Sequence, residues 1–250
     1  MNCGILLNAD QGCFFSYVQW LLKQQIKSNY FDISGIYTNK QKKVKKIFDN
    51  IKYFDSLDQV LTSSDIVFSF GYWQIIEKES ILKVPRGIIN FHHSYKLKYK
   101  GRDCSTWALR HDEPIHGSTM HFIDEDLDKG EIIDTRFFNI APDHTAEDIF
   151  FKANNLGLQM LKDNLYSVLS GKKNENPILE SEKSFKFRKK DLSHEITNKH
   201  IKDEKGLVRD IRALTFDQKN APYIVLEKQK VYLKLKNYDD GILKKRKNDI

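Results

Sequence analysis

The side chains best suited to chemistry are concentrated between Ile89 and Ile133. Within that stretch, Asn90 and His92 stand two positions apart at the end of a short apolar run over residues 87–91. Residues two apart in an extended strand project to the same side, and ligands of open α/β sheets bind beyond the carboxyl ends of the strands. We therefore expect this amide and this imidazole to face one reacting centre together.

Each of these groups has a use in acyl transfer. An amide N–H can donate to an oxygen that gains negative charge, and one such donor is typically worth roughly 10²–10³ in rate. Imidazole titrates near neutral pH and can move a proton, commonly worth roughly 10²–10⁴. A carboxylate usually orients such an imidazole. Asp128, in an Asp-Lys-Gly turn, is the best candidate, although Asp124 and Asp126 are close by and the chemistry does not choose between them.

Two other functional classes find less support in the sequence. A zinc site could draw on His92, His93, Cys104 and His121, but the short regular pairs typical of zinc ligands are absent, so we expect no metal. The turn over residues 8–12 lacks the glycine patterns of nucleotide-binding loops. Three cysteines without a CxxC pair, and no secretory signal, predict a reducing cytoplasmic location.

The elements around these residues follow from hydrophobic periodicity. Short apolar runs predict strands at residues 4–7, 33–37, 65–71, 87–91, 116–123 and 131–140. A helical spacing covers residues 14–26, and a second helix begins after Thr145, with Asp148 at the capping-box position, and stops at Gly171. This order favours an α/β fold in which helices cover both faces of a mostly parallel sheet.

The net charge of +7 comes entirely from the last third of the chain. Residues 171–250 carry 21 Lys and Arg against 13 Asp and Glu, whereas the preceding 170 residues carry 20 against 21. Such a basic region could meet nucleic acid, a membrane surface or a phosphorylated small molecule. No apolar run approaches eighteen residues, so no membrane span is expected.

The change in composition after Gly171 marks a domain boundary. We expect a catalytic domain over residues 1–171 and a linker with a small basic subdomain over 172–250. The subdomain should hold a short helix at 207–216 and a hairpin at 223–235, joined through residues 227–230.

Several linked motifs resemble the folate-dependent formyltransferase family, which includes glycinamide ribonucleotide and methionyl-tRNA formyltransferases. They are Asn90-Phe91-His92-His93-Ser94, then Tyr99-Lys100-Gly101, then His121-Phe122-Ile123 and Leu127-Asp128-Lys129-Gly130-Glu131-Ile132-Ile133. They match the family pattern of Asn-x-His, Tyr-x-Gly and Asp-x-Gly-x-Ile-Ile in order, over roughly residues 1–171. The resemblance implies a Rossmann-like fold. One departure is His93, where the family often has Pro.

Carried over residue by residue, the resemblance implies that Asn90, His92 and Asp128 form the catalytic set, which selects Asp128 among the three aspartates. It implies 10-formyltetrahydrofolate as the formyl donor. The donor pocket implied in this way consists of Phe70, Gly71, Tyr72, Trp73, Ile76, Phe122, Ile123, Asp124 and Glu125.

The segment from Tyr99 to Ala108 and the short tail are similar to the sugar N-formyltransferases, which formylate a nucleotide-linked amino sugar. That branch implies a dTDP-4-amino-4,6-dideoxy sugar as acceptor, a place in O-antigen lipopolysaccharide or similar surface-glycan synthesis, and a homodimer formed through the C-terminal hairpin. Acceptor contacts are then expected at Tyr99, Arg102, Asp103 and Tyr223.

Two alternatives remain. The basic last third is compatible with a methionyl-tRNA formyltransferase. Residues 172–250 are, however, few for the linker and barrel domain of that enzyme, so we do not expect nucleic acid as a partner. The second alternative is a non-catalytic basic binding module on the same fold, for which replacing His92 by Ala should change nothing measurable.

Overall fold

The computed structural model describes residues 1–172, 177–197, 203–216 and 221–235. Its strands are β1 (Asn2–Leu7), β2 (Asp32–Thr38), β3 (Ile66–Phe70), β4 (Ile88–His92), β5 (Tyr99–Gly101), β6 (Ile115–Phe122), β7 (Ile132–Asn139), β8 (Phe185–Phe187), β9 (Tyr223–Leu226) and β10 (Gln229–Tyr232). Its α-helices are α1 (Phe15–Ser28), α2 (Gln41–Lys45), α3 (Leu57–Thr62), α4 (Lys78–Ile81), α5 (Cys104–Arg110), α6 (Ala146–Ser170) and α7 (Glu204–Leu214).

A six-stranded sheet in the order β2-β1-β3-β4-β6-β7 forms the centre of the molecule. The first four strands are parallel, and β6 and β7 are antiparallel to their neighbours. The parallel strands are apolar on both faces because helices cover both sides, which the continuous apolar runs predict. The mostly parallel α/β fold expected from the sequence is confirmed.

Helix α6 crosses one face of this sheet and shows how local signals set its ends. Thr145 accepts a hydrogen bond from the Asp148 backbone N–H, and the Asp148 carboxylate accepts one from the Thr145 N–H, which completes the predicted capping box. Gly171 ends the helix in the left-handed conformation, with φ of 76°. The buried face of α6 packs mainly against β6 and β7, and its Met160, Leu161 and Leu165 belong to the main apolar core.

The chain beyond Gly171 returns to the N-terminal part of the molecule. Strand β8 pairs in parallel with β5, and the Ser181 and Phe185 N–H groups donate to the Lys96 and Lys98 carbonyls. Arg110 of α5 lies 3.6 Å from Asp210 of α7, and both side chains are about nine-tenths buried. The expectation for residues 172–250 was a linker and a small basic subdomain with a helix and a hairpin, and it did not include β8. The described C-terminal residues therefore brace the connection between β4 and β5.

The C-terminal hairpin forms where it was predicted, but its turn is shorter. Glu227 and Lys228 have φ of 46° and 66°, the positive values of a two-residue hairpin turn, and Gln229 and Lys230 belong to β10. The prediction of a four-residue connection through Lys230 was therefore wrong, because polar composition conceals where strand pairing resumes. No helix among the described residues is long and apolar enough to cross a membrane.

Candidate active site

A row of three polar side chains crosses the sheet at the level of Asn90. Ser69 of β3 and His121 of β6 are the register partners of Asn90 on its two sides. The Ser69 hydroxyl donates to Asn90 Oδ1 at 3.1 Å, and Asn90 Nδ2 lies 3.4 Å from His121 Nε2. Cross-strand neighbours of this kind fix one another's orientation. Together with the position of the proton on His121, these contacts assign which end of the Asn90 amide is nitrogen.

The proton of His121 follows from its second contact. His121 Nδ1 lies 2.8 Å from the Phe122 carbonyl oxygen, which can only accept, so Nδ1 carries the proton and Nε2 is free to accept from Asn90. Burial lowers the pKa of His121 to about 4, although Asp128 opposes this. His121 is therefore neutral at physiological pH. One N–H of the Asn90 amide points to His121, and the described contacts of Asn90 do not use the other.

His92 and Asp128 form a buried pair beside this row. His92 Nδ1 lies 3.4 Å from Asp128 Oδ1, and the two side chains are only 9% and 11% exposed. Burial by itself lowers the pKa of His92, but the Asp128 carboxylate, with Cys104 and the Tyr99 carbonyl, outweighs it and raises that pKa to about 10. His92 is consequently an imidazolium at neutral pH.

Asp128 is placed by a tight turn. Its φ of 46° lies in the left-handed region, which Asp tolerates better than most residues. Its second oxygen, Oδ2, accepts from the Gly101 N–H at 2.6 Å. Gly101 has φ of 87°, and a Cβ there would collide with the Phe187 carbonyl. The glycine of the Tyr-x-Gly motif therefore allows β5 to reach both Asp128 and β8.

The other ring nitrogen of His92 contacts the backbone of β5. His92 Nε2 lies 2.6 Å from the Tyr99 carbonyl oxygen, while the Tyr99 N–H donates to Ser94 Oγ at 2.8 Å. The Tyr99 ring is 2% exposed, and its hydroxyl contacts Glu113 and His111 at 2.8 and 2.9 Å. It is the backbone of Tyr99, not its side chain, that reaches His92.

The two segments predicted to hold the formyl donor lie close to each other. Lys78, just after the first segment, forms an exposed ion pair with Glu125 of the second at 2.6 Å. The Phe70 side chain is fully buried, whereas the Trp73 ring is 56% exposed. Among the other predicted residues, Gly71 turns the chain with φ of 66°, Tyr72 donates to Gln74, Ile76 is buried, Phe122 and Ile123 are half-buried, and Asp124 is exposed.

The residues predicted to contact the acceptor are divided between two places. Arg102 and Asp103 are exposed between β5 and α5, close to Gly101. Tyr223 lies on the hairpin, where its N–H donates to the His194 carbonyl and Lys230 lies 4.2 Å from the centre of its ring. The described contacts of Tyr223 do not include Asn90, His92 or Asp128, and its role stays a prediction.

Ser69 is the residue of the row that the sequence did not single out. A register between β3 and β4 would have indicated it, but parallel register is not encoded in local spacing. Within the described ranges, no group of three or more His, Cys, Asp and Glu is arranged to hold a metal ion.

Fold and site together define an α/β protein with an amide and an imidazolium at the carboxyl end of β4, next to a carboxylate from the turn between β6 and β7. The family model named Formyl transferase matches residues 22–165, more than half of the chain. The chain belongs to this family, which confirms the resemblance drawn from its motifs.

Individual relatives agree with this assignment. The chain is 32% identical over 131 residues to the bifunctional polymyxin resistance protein ArnA of Wigglesworthia glossinidia brevipalpis, covering 52% of this chain and 20% of ArnA. This chain thus matches about a fifth of that relative's length. WlaRD, a sugar 3N-formyl transferase solved in the presence of dTDP and 5-N-formyl-THF, is 27% identical, with a TM-score of 0.75 over 92% of this chain and 84% of its own. A 4-N formyltransferase from Francisella tularensis is 19% identical, with a TM-score of 0.79 over 94% of this chain and 96% of its own.

Proposed function

We propose that this protein transfers a formyl group from 10-formyltetrahydrofolate to the amine of a nucleotide-linked sugar, specifically a dTDP-amino-dideoxy sugar used in surface-glycan synthesis. The observation that carries the proposal is the buried His92–Asp128 pair beside the oriented Asn90 amide, in a chain of the formyl transferase family. The acceptor class is supported by WlaRD, whose similarity covers 92% of this chain and so extends past Gly171.

The described residues fit a folate donor and an amine acceptor. The Asn90 amide has an N–H that none of its described contacts uses, and the exposed Trp73 ring offers a flat surface for an aromatic ligand. In the transfer, the acceptor nitrogen bonds to the formyl carbon, the bond from that carbon to the folate nitrogen breaks, and one proton passes from the acceptor to the folate.

We assign these steps to three side chains. The free N–H of Asn90 stabilises the charge that develops on the formyl oxygen. His92 rests as an imidazolium, so it first supplies positive charge and a proton for the leaving nitrogen and then takes up the acceptor's proton. Asp128 holds the ring by Nδ1 and offsets its charge.

The test is an assay for tetrahydrofolate and for the formylated sugar by mass spectrometry, using 10-formyltetrahydrofolate with 3-amino and 4-amino dTDP-dideoxy sugars. We expect one sugar to be formylated and Asn90→Ala to lower kcat by roughly 10²–10³. Asn139→Ala, at an exposed position on β7, is the matched control and should retain wild-type kcat. No transfer to any nucleotide amino sugar would refute the acceptor class, and a salt-sensitive tRNA gel shift would favour the tRNA enzyme instead.

A homodimer formed through the hairpin is part of the proposal. Four apolar side chains of β9 and β10 are more than 40% exposed: Val225, Leu226, Val231 and Tyr232. Exposed apolar groups on one small hairpin are typical of an interface. Light scattering should give a dimer mass for the wild type and a monomer mass for Leu226→Lys with Tyr232→Lys. A monomeric wild type would contradict this part.

A further inference from the structure

Cys104 is a buried thiol that the roles assigned above do not use. It is the first residue of α5 and follows Asp103, whose φ of 59° turns the chain sharply at that point. The side chain is buried, with 7% of the residue exposed. Its Sγ lies 3.5 Å from His92 Nε2, 3.3 Å from the Tyr99 carbonyl oxygen and 3.8 Å from the Gly101 carbonyl oxygen. The thiol therefore contacts the ring nitrogen of His92 that faces away from Asp128.

The directions of these contacts follow from which atoms carry protons. A carbonyl oxygen can only accept, so the S–H of Cys104 is directed to the Tyr99 or Gly101 carbonyl. The lone pairs of the sulfur are then available to His92 Nε2, which donates mainly to the Tyr99 oxygen at 2.6 Å. His92 is thus held on one side by a carboxylate and on the other by a carbonyl and a thiol sulfur.

The three histidines near His92 contribute no further charge. His121 lies edge-on to the ring, with ring centroids 6.4 Å apart. Burial lowers the pKa of His121 to about 4 and the pKa values of His93 and His116 to about 3, so all three are neutral when His92 is charged. Asp128 is the anion in contact with His92, and Cys104 is the polar side chain on the opposite side.

We propose that Cys104 is a positioning residue for formyl transfer, which accepts from His92 Nε2 and keeps the imidazolium ring aligned with Asp128. This inference rests on the proposed function, in which His92 gives up and regains a proton. The contact to sulfur is long and sulfur accepts weakly, so it adds to the alignment that the Tyr99 carbonyl gives the ring and adds little to the cost of releasing the Nε2 proton.

Two substitutions separate this role from simple packing because they predict opposite orders. Cys104→Ser keeps a hydrogen-bonding atom, whereas Cys104→Val fills the space without one. A hydrogen bond of ordinary strength shifts an equilibrium by about 3- to 10-fold. Because the bond to sulfur favours the charged ring, Cys104→Val should lower the pKa of His92 by about 0.5–1 unit. It should also lower kcat by about 3- to 10-fold, leaving KM for both substrates unchanged. Cys104→Ser should stay near the wild type in both respects.

The pKa is read by NMR of the full-length protein with ¹³C-labelled histidine, without substrate, so this arm is independent of the acceptor assignment. Cys104→Ala replaces Cys104→Val if thermal melting shows the valine variant unfolded, and the same shift is expected. If the valine or alanine variant keeps the wild-type pKa of His92, or if Cys104→Ser is more impaired than Cys104→Val, Cys104 is only a packing residue and the proposal fails.

Discussion

Replacing Asp128 by Asn tests the electrostatics of the site most directly. In the wild type, Asp128 uses both oxygens, Oδ1 towards His92 and Oδ2 for the Gly101 N–H. An asparagine has one side-chain oxygen. If that oxygen keeps the Gly101 N–H, the NH₂ group faces His92 Nδ1, where it opposes a proton on that nitrogen. The variant therefore removes the charge and also reverses the hydrogen bond.

The size of the effect follows from burial. Both side chains are about nine-tenths buried, and removing one partner of a buried ion pair typically costs about 3–5 kcal/mol. Since one pKa unit corresponds to about 1.4 kcal/mol, the pKa of His92 should fall by about 2–4 units from its raised value. Burial, which disfavours the imidazolium, is then no longer opposed. The pKa of His92 in the variant is then about 6–8, so at pH 9 the wild type should hold mostly imidazolium and the variant mostly neutral His92. At that pH kcat of the variant should be lower by roughly 10²–10⁴.

The same pair makes stability depend on pH. The folded pKa of His92, about 10, lies above the ordinary value of 6.5 for an unfolded chain. The stabilisation is therefore complete below about pH 6.5 and is lost as the pH rises towards 10. Urea unfolding at pH 7 and pH 9.5 should show a smaller loss of stability for Asp128→Asn than for the wild type.

Asp126→Asn provides the control, because Asp126 lies in the same turn but is exposed and pairs with Lys129. It should behave as the wild type in the His92 titration, in kcat and in unfolding. The reasoning is refuted if Asp128→Asn leaves the His92 titration where it is, or if Asp126→Asn shifts it equally.

Three further substitutions probe other parts of the molecule. His121→Phe keeps a ring but removes the acceptor for Asn90, so kcat should fall about 10-fold with little change in melting temperature; an unchanged kcat would contradict a role in orienting the amide. Thr145→Ala removes the cap of α6 and should cost about 1 kcal/mol in urea unfolding, whereas Thr145→Ser should cost less; equal values for both would argue against the capping box. Phe187→Ala removes the stack on Trp107, 3.9 Å between ring centroids, and should cost about 1–2 kcal/mol and also lower kcat; unchanged kinetics would separate β8 from the site.

The features that the sequence predicted correctly are those determined by residues close together in the chain. Helix α6 was bounded correctly because Thr145, Asp148 and Gly171 act within a few residues of each end. The position of Asn90 and His92 at the end of β4 followed from one apolar run and the period of two. Asp128 could be chosen over Asp124 and Asp126 only through the family pattern, because all three lie in one turn.

The remaining features depend on contacts distant in sequence. Strand β8 has three residues, and its partner β5 lies more than eighty positions earlier, so periodicity gives no indication of the pairing. Ser69 meets Asn90 through a parallel register that is set by the packing of whole strands. The buried orientation of the Tyr99 ring results from its fit against Phe185 and His111. Roles in binding the donor and the acceptor stay predictions.

The hydrogen bonds from Ser181 and Phe185 to the β4–β5 connection indicate whether the N-terminal part of the chain can act without the rest. Every candidate catalytic side chain lies before residue 129, and the family model ends at residue 165. A fragment cut at that limit would carry all three groups but would lack β8, which supports the backbone that aims His92. Exchanging C-terminal regions between relatives would therefore alter turnover as well as acceptor choice, and chimeras should be joined after residue 187.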